Sequence, residues 1–118
     1  MNINVHHVHG KRIAEVISDK PVLTNAAEGL ELLMNLYYQD FDRIILHEKD
    51  ISPDFFYLKT GLAGEVLQKF SNYRVSLAIV GHFENMPGDS LHDFIRESNR
   101  SGHIHFVAST AEAIGRLS

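Results

Sequence analysis

The chain has 118 residues, of which 44% are apolar and 22% are charged, and it contains no cysteine. This length and composition predict one globular domain over residues 1–118, with a core large enough to need neither disulfides nor a structural metal. The missing cysteine excludes thiolate zinc sites, iron–sulfur clusters and thiol nucleophiles. The net charge is −4 and the basic residues form no stripe, so we expect no nucleic acid partner. The chain shows neither a membrane-spanning apolar run nor an export signal, so we expect a cytoplasmic protein with no membrane partner.

The N-terminal part of the chain predicts an antiparallel hairpin followed by a helix. Residues 3–9 alternate in polarity and residues 12–17 are mostly apolar, so we expect two paired strands with a turn at Gly10-Lys11. Apolar residues then recur at helical spacing over 26–37, which predicts an amphipathic helix packed on a sheet.

Two apolar runs, at 43–47 and 74–81, predict central strands that are covered on both faces. Between them we expect a long connection and then a helix from Thr60 to Phe70. Gly61 and Gly64 each cost about 1 kcal/mol relative to alanine inside a helix. Their presence predicts a close approach to the backbone there, by a neighbouring strand or by a phosphate.

The C-terminal part predicts a helix, a strand and a final helix. Ser90 is placed to cap the first of these helices, and Gly102 is placed to end it. The pattern predicts a strand over 103–108 and the last helix over 110–117. The full order is β-β-α-β-α-β-α-β-α. Because β-α-β connections are right-handed crossovers between parallel strands, this order predicts an α/β fold with a mixed, mainly parallel sheet and an N-terminal antiparallel hairpin.

One short motif adds a functional expectation. The triplet Thr60-Gly61-Leu62, which follows a buried strand and a loop, resembles the Ser/Thr-Gly-Leu triplet that opens a helix in STAS domains, the architecture of anti-sigma-factor antagonists. This resemblance implies a STAS-like fold and a regulatory or scaffold module that acts by protein–protein association. It also implies that a partner kinase phosphorylates Thr60.

A second resemblance spans nearly the whole chain. It is to a small bacterial family known only as a domain of unknown function, and it rests on five segments, at 52–56, 58–65, 68–74, 78–81 and 94–99. Family membership of this kind implies no particular activity.

The connection from Ser52 to Gly64 is therefore the expected contact surface, with Asp54, Lys59, Thr60 and Gly61 as its site residues. A hydroxyl at a helix N-terminus lies near free backbone N–H groups, which can help to hold a phosphate. A simpler interpretation, in which the threonine only caps the helix, stays open. The expected partner is an unidentified protein, and a homodimer through the edge of the hairpin is the other partner expectation.

The alternative function is that of a small enzyme or a protein that binds a metal or another ligand. Parallel strands place ligand sites at their carboxyl ends, where this chain puts His47, Glu48, Asp54 and His82. Imidazole and carboxylate groups together suit metal binding or general base chemistry. However, adjacent residues at a strand end point to opposite faces, and the spacing matches no metal motif. We therefore expect no metal and no cofactor, and an enzyme is the less favoured interpretation.

Overall fold

The computed structural model describes residues 1–118 and shows one five-stranded sheet with four α-helices. The strands lie side by side in chain order, as β1 Asn2–Val8, β2 Lys11–Ile17, β3 Arg43–His47, β4 Ser76–Val80 and β5 Ile104–Val107. The helices are α1 Ala26–Tyr37, α2 Leu62–Asn72, α3 Asp89–Ser101 and α4 Thr110–Leu117. β1 pairs antiparallel with β2, and all other neighbours are parallel. The predicted mixed α/β fold and its order of elements are thus confirmed. No helix combines the length and the apolar character needed to cross a membrane.

A tight turn sets the register of the opening hairpin. His9 and Gly10 both have positive φ, at 51° and 76°, and they leave Val8 opposite Lys11. Two positive-φ residues form the kind of turn whose twist matches paired strands. The predicted turn at Gly10-Lys11 was therefore wrong by one residue. The register places His6 opposite Ile13, so their side chains share a face of the sheet.

The sheet has a larger core on one face and a smaller one on the other. Each connection from β2 to β5 steps to the next strand in the same direction, so right-handed crossovers place α1, α2 and α3 on the same face. That face holds a core of 22 buried residues, including Ile44 and Leu77. The opposite face is covered by α4 over six buried residues, including Ile45 and Ala78. The part of this second face nearest β1 is left for polar side chains.

The second helix begins two residues later than predicted, because Thr60 belongs to a short 3-10 turn and Gly61 adopts a left-handed conformation with φ 78°. Glycine reaches that conformation without the steric cost that other residues incur. No strand or other part of the protein approaches either glycine, since a Cβ atom would have no heavy atom within 4 Å at Gly61 or at Gly64. Such an approach occurs instead at Gly81, where a Cβ would lie 2.6 Å from the Cβ of Glu48.

The third helix also begins differently from the prediction. Its first residue is Asp89, and the residue before it, Gly88, has φ 104° and no side chain to cap the helix. The predicted cap at Ser90 was therefore wrong, because that residue already lies in the first turn. The predicted end at Gly102 is confirmed, with φ 80°. The start of α3 consequently leaves backbone N–H groups without a side-chain partner at the carboxyl edge of the sheet.

Candidate functional site

A groove opens at the carboxyl edge of the sheet, where the connection from β3 to α2 faces the loop from β4 to α3. We call it the edge groove, and its walls are residues 51–59 and 86–91. Its deeper part has a volume of about 710 Å³ and also reaches Glu48 and Lys49. A shallower part of about 400 Å³ continues along Leu58 and Lys59. The deeper part has the size at which protein pockets enclose small molecules or single side chains.

The first wall of the edge groove is built from short 3-10 turns. The Ser52 hydroxyl accepts the N–H of Asp54 at 3.2 Å, and proline in the first position starts the turn Pro53–Phe56. This turn sends successive aromatic side chains in different directions. Phe55 is 1% exposed and fills the core, whereas Tyr57 is 61% exposed on the groove wall. The sequence pattern alone did not separate these two roles.

The hydroxyl of Thr60 ties this wall to the start of α2. It lies 2.7 Å from the carbonyl oxygen of Asp54 and 3.0 Å from that of Tyr57, to which it donates, and it accepts the N–H of Leu62 at 3.2 Å. The threonine itself is exposed at the surface. Its side chain therefore satisfies one free N–H of the helix, as a cap does, and also holds the preceding turns in place.

Glu48 and His82 meet at the inner end of the edge groove. The Oε1 atom of Glu48 accepts the backbone N–H of His82 at 3.0 Å, and the carboxylate passes directly over Gly81. Glycine is required at that position because any Cβ would overlap the glutamate side chain. The contact joins the end of β4 to the connection that follows β3.

His47 points to the opposite face of the sheet, as expected for the neighbour of Glu48. There it joins a polar group that we call the Glu15 cluster, made of His6, Glu15 and His47. The Nε2–H groups of His6 and His47 donate to Oε1 and Oε2 of Glu15, at 2.8 and 2.7 Å respectively. The Thr110 hydroxyl, at the start of α4, lies 3.4 Å from Oε2.

Glu15 is only 6% exposed, so its charge depends on these partners. Burial by itself raises the pKa of the carboxyl, but the hydrogen bonds from His6 and His47 and their charges outweigh it, so the pKa lies below its usual value. Through the Glu15 carboxylate, the cluster links β1, β2 and β3 on the face of the sheet that α4 covers only in part. Glu15 was not among the predicted site residues, although a lone carboxylate within the apolar run 13–17 is a signal that a partner is needed.

His92 also lies at this edge, where its Nε2 atom is 2.8 Å from the carbonyl oxygen of Met86. His103 and His105 lie at the opposite edge of the sheet. His105 is buried at the start of β5, where its Nε2 lies 3.1 Å from the carbonyl oxygen of Gly102. Burial and the charge of Arg116 lower the pKa of His105. No group of three or more histidine, aspartate or glutamate residues is arranged to hold a metal ion.

The structure thus separates the residues of the two predicted sites. Lys59 lines the edge groove, and Thr60 and Gly61 follow it in the chain. Of the alternative set, the Glu48 carboxylate accepts the backbone N–H of His82, while the side chain of His47 bonds on the other face to Glu15. Asp54 is exposed on the 3-10 turn. The wall 86–91 was not predicted as part of a site, because its proximity to 51–59 depends on the packing of two separate loops.

The fold and the groove together define a small α/β protein with an open, largely apolar cleft at the carboxyl edge of its sheet. Residues 8–117 match the family described as a domain of unknown function, DUF4180, and the chain belongs to that family. Neither the curated proteins nor the solved structures gave a match to this chain.

Proposed function

We propose that this chain is a cytoplasmic regulatory or scaffold module that associates with another protein through the edge groove. The observation that carries the proposal is the groove itself, with apolar side chains on two surface loops and Tyr57 exposed on its wall. Exposed apolar surface of this kind is typical of interaction sites. The resemblance of Thr60-Gly61-Leu62 to the triplet of anti-sigma-factor antagonists supports the same surface.

The binding energy would come from apolar side chains of the partner that enter the groove. Burial of apolar surface stabilises a complex by about 25 cal/mol per Å², and a few well-packed aromatic anchors usually provide most of the affinity. Tyr57 is such an anchor, because its ring is exposed while Phe55, two residues earlier, is buried in the core and fixes the backbone. Lys59, farther along the same wall, can pair with an acidic group of the partner.

Phosphorylation of Thr60 would regulate the association through the structure of this wall. A phosphate removes the hydroxyl proton that Thr60 donates to the carbonyl oxygens of Asp54 and Tyr57. It also places roughly 1.5 to 2 negative charges beside those oxygens. The free N–H groups at the start of α2 attract the phosphate, so we expect it to turn toward the helix and release the wall.

The alternative function, as an enzyme or a metal- or ligand-binding protein, has less support. Its four residues, His47, Glu48, Asp54 and His82, do not share one cluster, because the first bonds to Glu15 on the far face of the sheet. No separate observation favours this function over association.

Site-specific photo-crosslinking in the native host tests the proposal. A photoreactive phenylalanine analogue at Tyr57 should give one discrete adduct, whereas the same analogue at Tyr38, which is 79% exposed at the opposite edge, should not. The captured protein is then purified, and Tyr57→Ala should weaken its binding at least tenfold, as expected for loss of an aromatic anchor worth about 2 kcal/mol. Tyr38→Ala is the matched control.

Two results would contradict the proposal. One is an equal yield of adducts at both positions, and the other is unchanged affinity in Tyr57→Ala. An adduct with a second copy of the chain would instead make the groove a homodimer surface, which sedimentation at two concentrations would check.

A further inference from the structure

The charges that line the deeper part of the edge groove belong to Glu48 and Lys49. The ammonium group of Lys49 is already bound, since it lies 2.6 Å from the carbonyl oxygen of Ser18 and 2.9 Å from Oδ1 of Asp50. Asp50 is 2% exposed and its second oxygen has no partner. A buried carboxylate without a counter-charge is strongly unfavourable, so Lys49 is held by Asp50. Glu48 is left as the one charge in this part of the groove without a charged partner.

The Glu48 carboxylate is also fixed in position. Its Oε1 atom accepts the N–H of His82, and its side chain packs over Gly81. The glutamate is half-buried and forms no ion pair with the protein. A negative charge held in this way needs little further ordering when a cation binds, because the backbone has already positioned it.

The surface that lines this part of the groove is mostly apolar. Phe56, Tyr57 and Met86 line the same part of the groove. Aromatic rings attract cations, and the long stems of lysine and arginine pack well on apolar surface while their charged ends stay with a counter-ion. The combination fits a group that is apolar along its length and positively charged at its end.

We propose that the edge groove binds a basic side chain of the partner, a lysine or an arginine, with Glu48 as its counter-charge. This inference rests on the proposed association and names the chemistry of the segment that enters the groove. An acidic segment would be repelled by the unpaired carboxylate of Glu48, and the ammonium group of Lys49, whose side chain is 63% exposed, is already shared by Asp50 and the carbonyl oxygen of Ser18.

Three small probes with one aromatic body test this inference without the partner. They are 3-phenylpropylamine, which is cationic, 3-phenylpropanol, which is neutral, and 3-phenylpropanoate, which is anionic. Each is titrated at pH 7 into the full chain labelled with ¹⁵N, and amide shifts are followed by NMR. The amine should shift the amides of Glu48, Tyr57 and Met86, and it should bind about five times more tightly than the alcohol, as one favourable ion pair predicts. The carboxylate should bind most weakly.

The variant Glu48→Gln isolates the charge. Its amide oxygen can still accept the N–H of His82, so the groove keeps its shape, and the amine and the alcohol should then bind equally. The matched control is Glu65→Gln, which changes an exposed carboxylate on α2 outside the groove and should keep the fivefold preference.

The inference is overturned if the amine has no preference over the alcohol, if Glu48→Gln keeps that preference, or if no probe shifts the groove amides. These outcomes are distinct from failure of the proposed function. A partner that depends on Tyr57 but shows no cation preference would refute only the basic side chain. A cation preference with no effect of Tyr57→Ala on the captured partner would refute the association through the groove and leave Glu48 as a binding site for cations.

Discussion

Replacing Glu15 with glutamine tests the Glu15 cluster directly. The glutamine side chain has one acceptor oxygen, so it can keep the hydrogen bond from either His6 or His47 but places an N–H₂ group against the other. A hydrogen bond to a buried charged group contributes about 1.5–3 kcal/mol, so we expect the free energy of unfolding to fall by about 2 kcal/mol. In urea this corresponds to a midpoint lower by about 1 M.

The same substitution has a predicted pH dependence. Because the pKa of Glu15 is lower in the folded chain than in the unfolded one, the stability from its ionised form is complete above the unfolded pKa, about 4.3. It is lost as the pH falls through the lower folded pKa. The stability difference between the wild type and Glu15→Gln should therefore shrink as the pH is lowered below about 4.3. Both proteins keep His6 and His47, the ionisable groups in contact with position 15, but only the wild type pairs them with a carboxylate.

Urea unfolding followed by circular dichroism at pH 7, 5, 4 and 3 measures this difference. Glu31→Gln is the matched control, because Glu31 is exposed on α1, and it should change stability by less than about 0.5 kcal/mol. The reasoning would be refuted if Glu15→Gln were as stable as the wild type at pH 7. It would also be refuted if a deficit at pH 7 kept its full size at pH 3.

Three further predictions concern the edge groove and the turn before α2. Thr60→Val should destabilise the chain by about 1–2 kcal/mol in urea unfolding, because the N–H of Leu62 loses its acceptor and the carbonyl oxygens of Asp54 and Tyr57 keep only their backbone donors, whereas Thr60→Ser should stay near the wild type. Gly81→Ala should cost about 1–3 kcal/mol and shift the amide of Glu48 in NMR spectra, since the new methyl group meets that side chain; an unshifted amide would contradict the contact. Gly61→Ala should lower the free energy of unfolding by about 1 kcal/mol and so lower the thermal midpoint. Gly64→Ala, which adds a methyl group to an exposed helix position, should raise the midpoint, and the reverse order would refute the assigned helix start.

The sequence predicts the sheet well because its signals are local. The apolar runs at 43–47 and 74–81 become the central strands β3 and β4, and Gly102 ends α3 as its conformational freedom predicts. The start of α2 was misplaced because a left-handed Gly61 and a continuing helix give the same sequence pattern. Only the φ angle separates them.

The candidate sites were harder to predict because they depend on register and on contacts between loops. His6 could have been related to Glu15 from the hairpin alone, since a two-residue turn at 9–10 sets that pairing. The meeting of His47 with Glu15 could not, because β2 and β3 are joined by a long crossover that contains α1, and such a connection does not set their register. The edge groove likewise requires the two loops to face each other across the ends of β3 and β4.

Amide hydrogen exchange on the chain with and without its captured partner tests the central proposal most directly. Association through the edge groove predicts slower exchange in the segments 51–59 and 86–91, with no change along the exposed β1 strand or in α4. Protection confined to β1 or α4, with the two groove walls unchanged, would contradict the proposal.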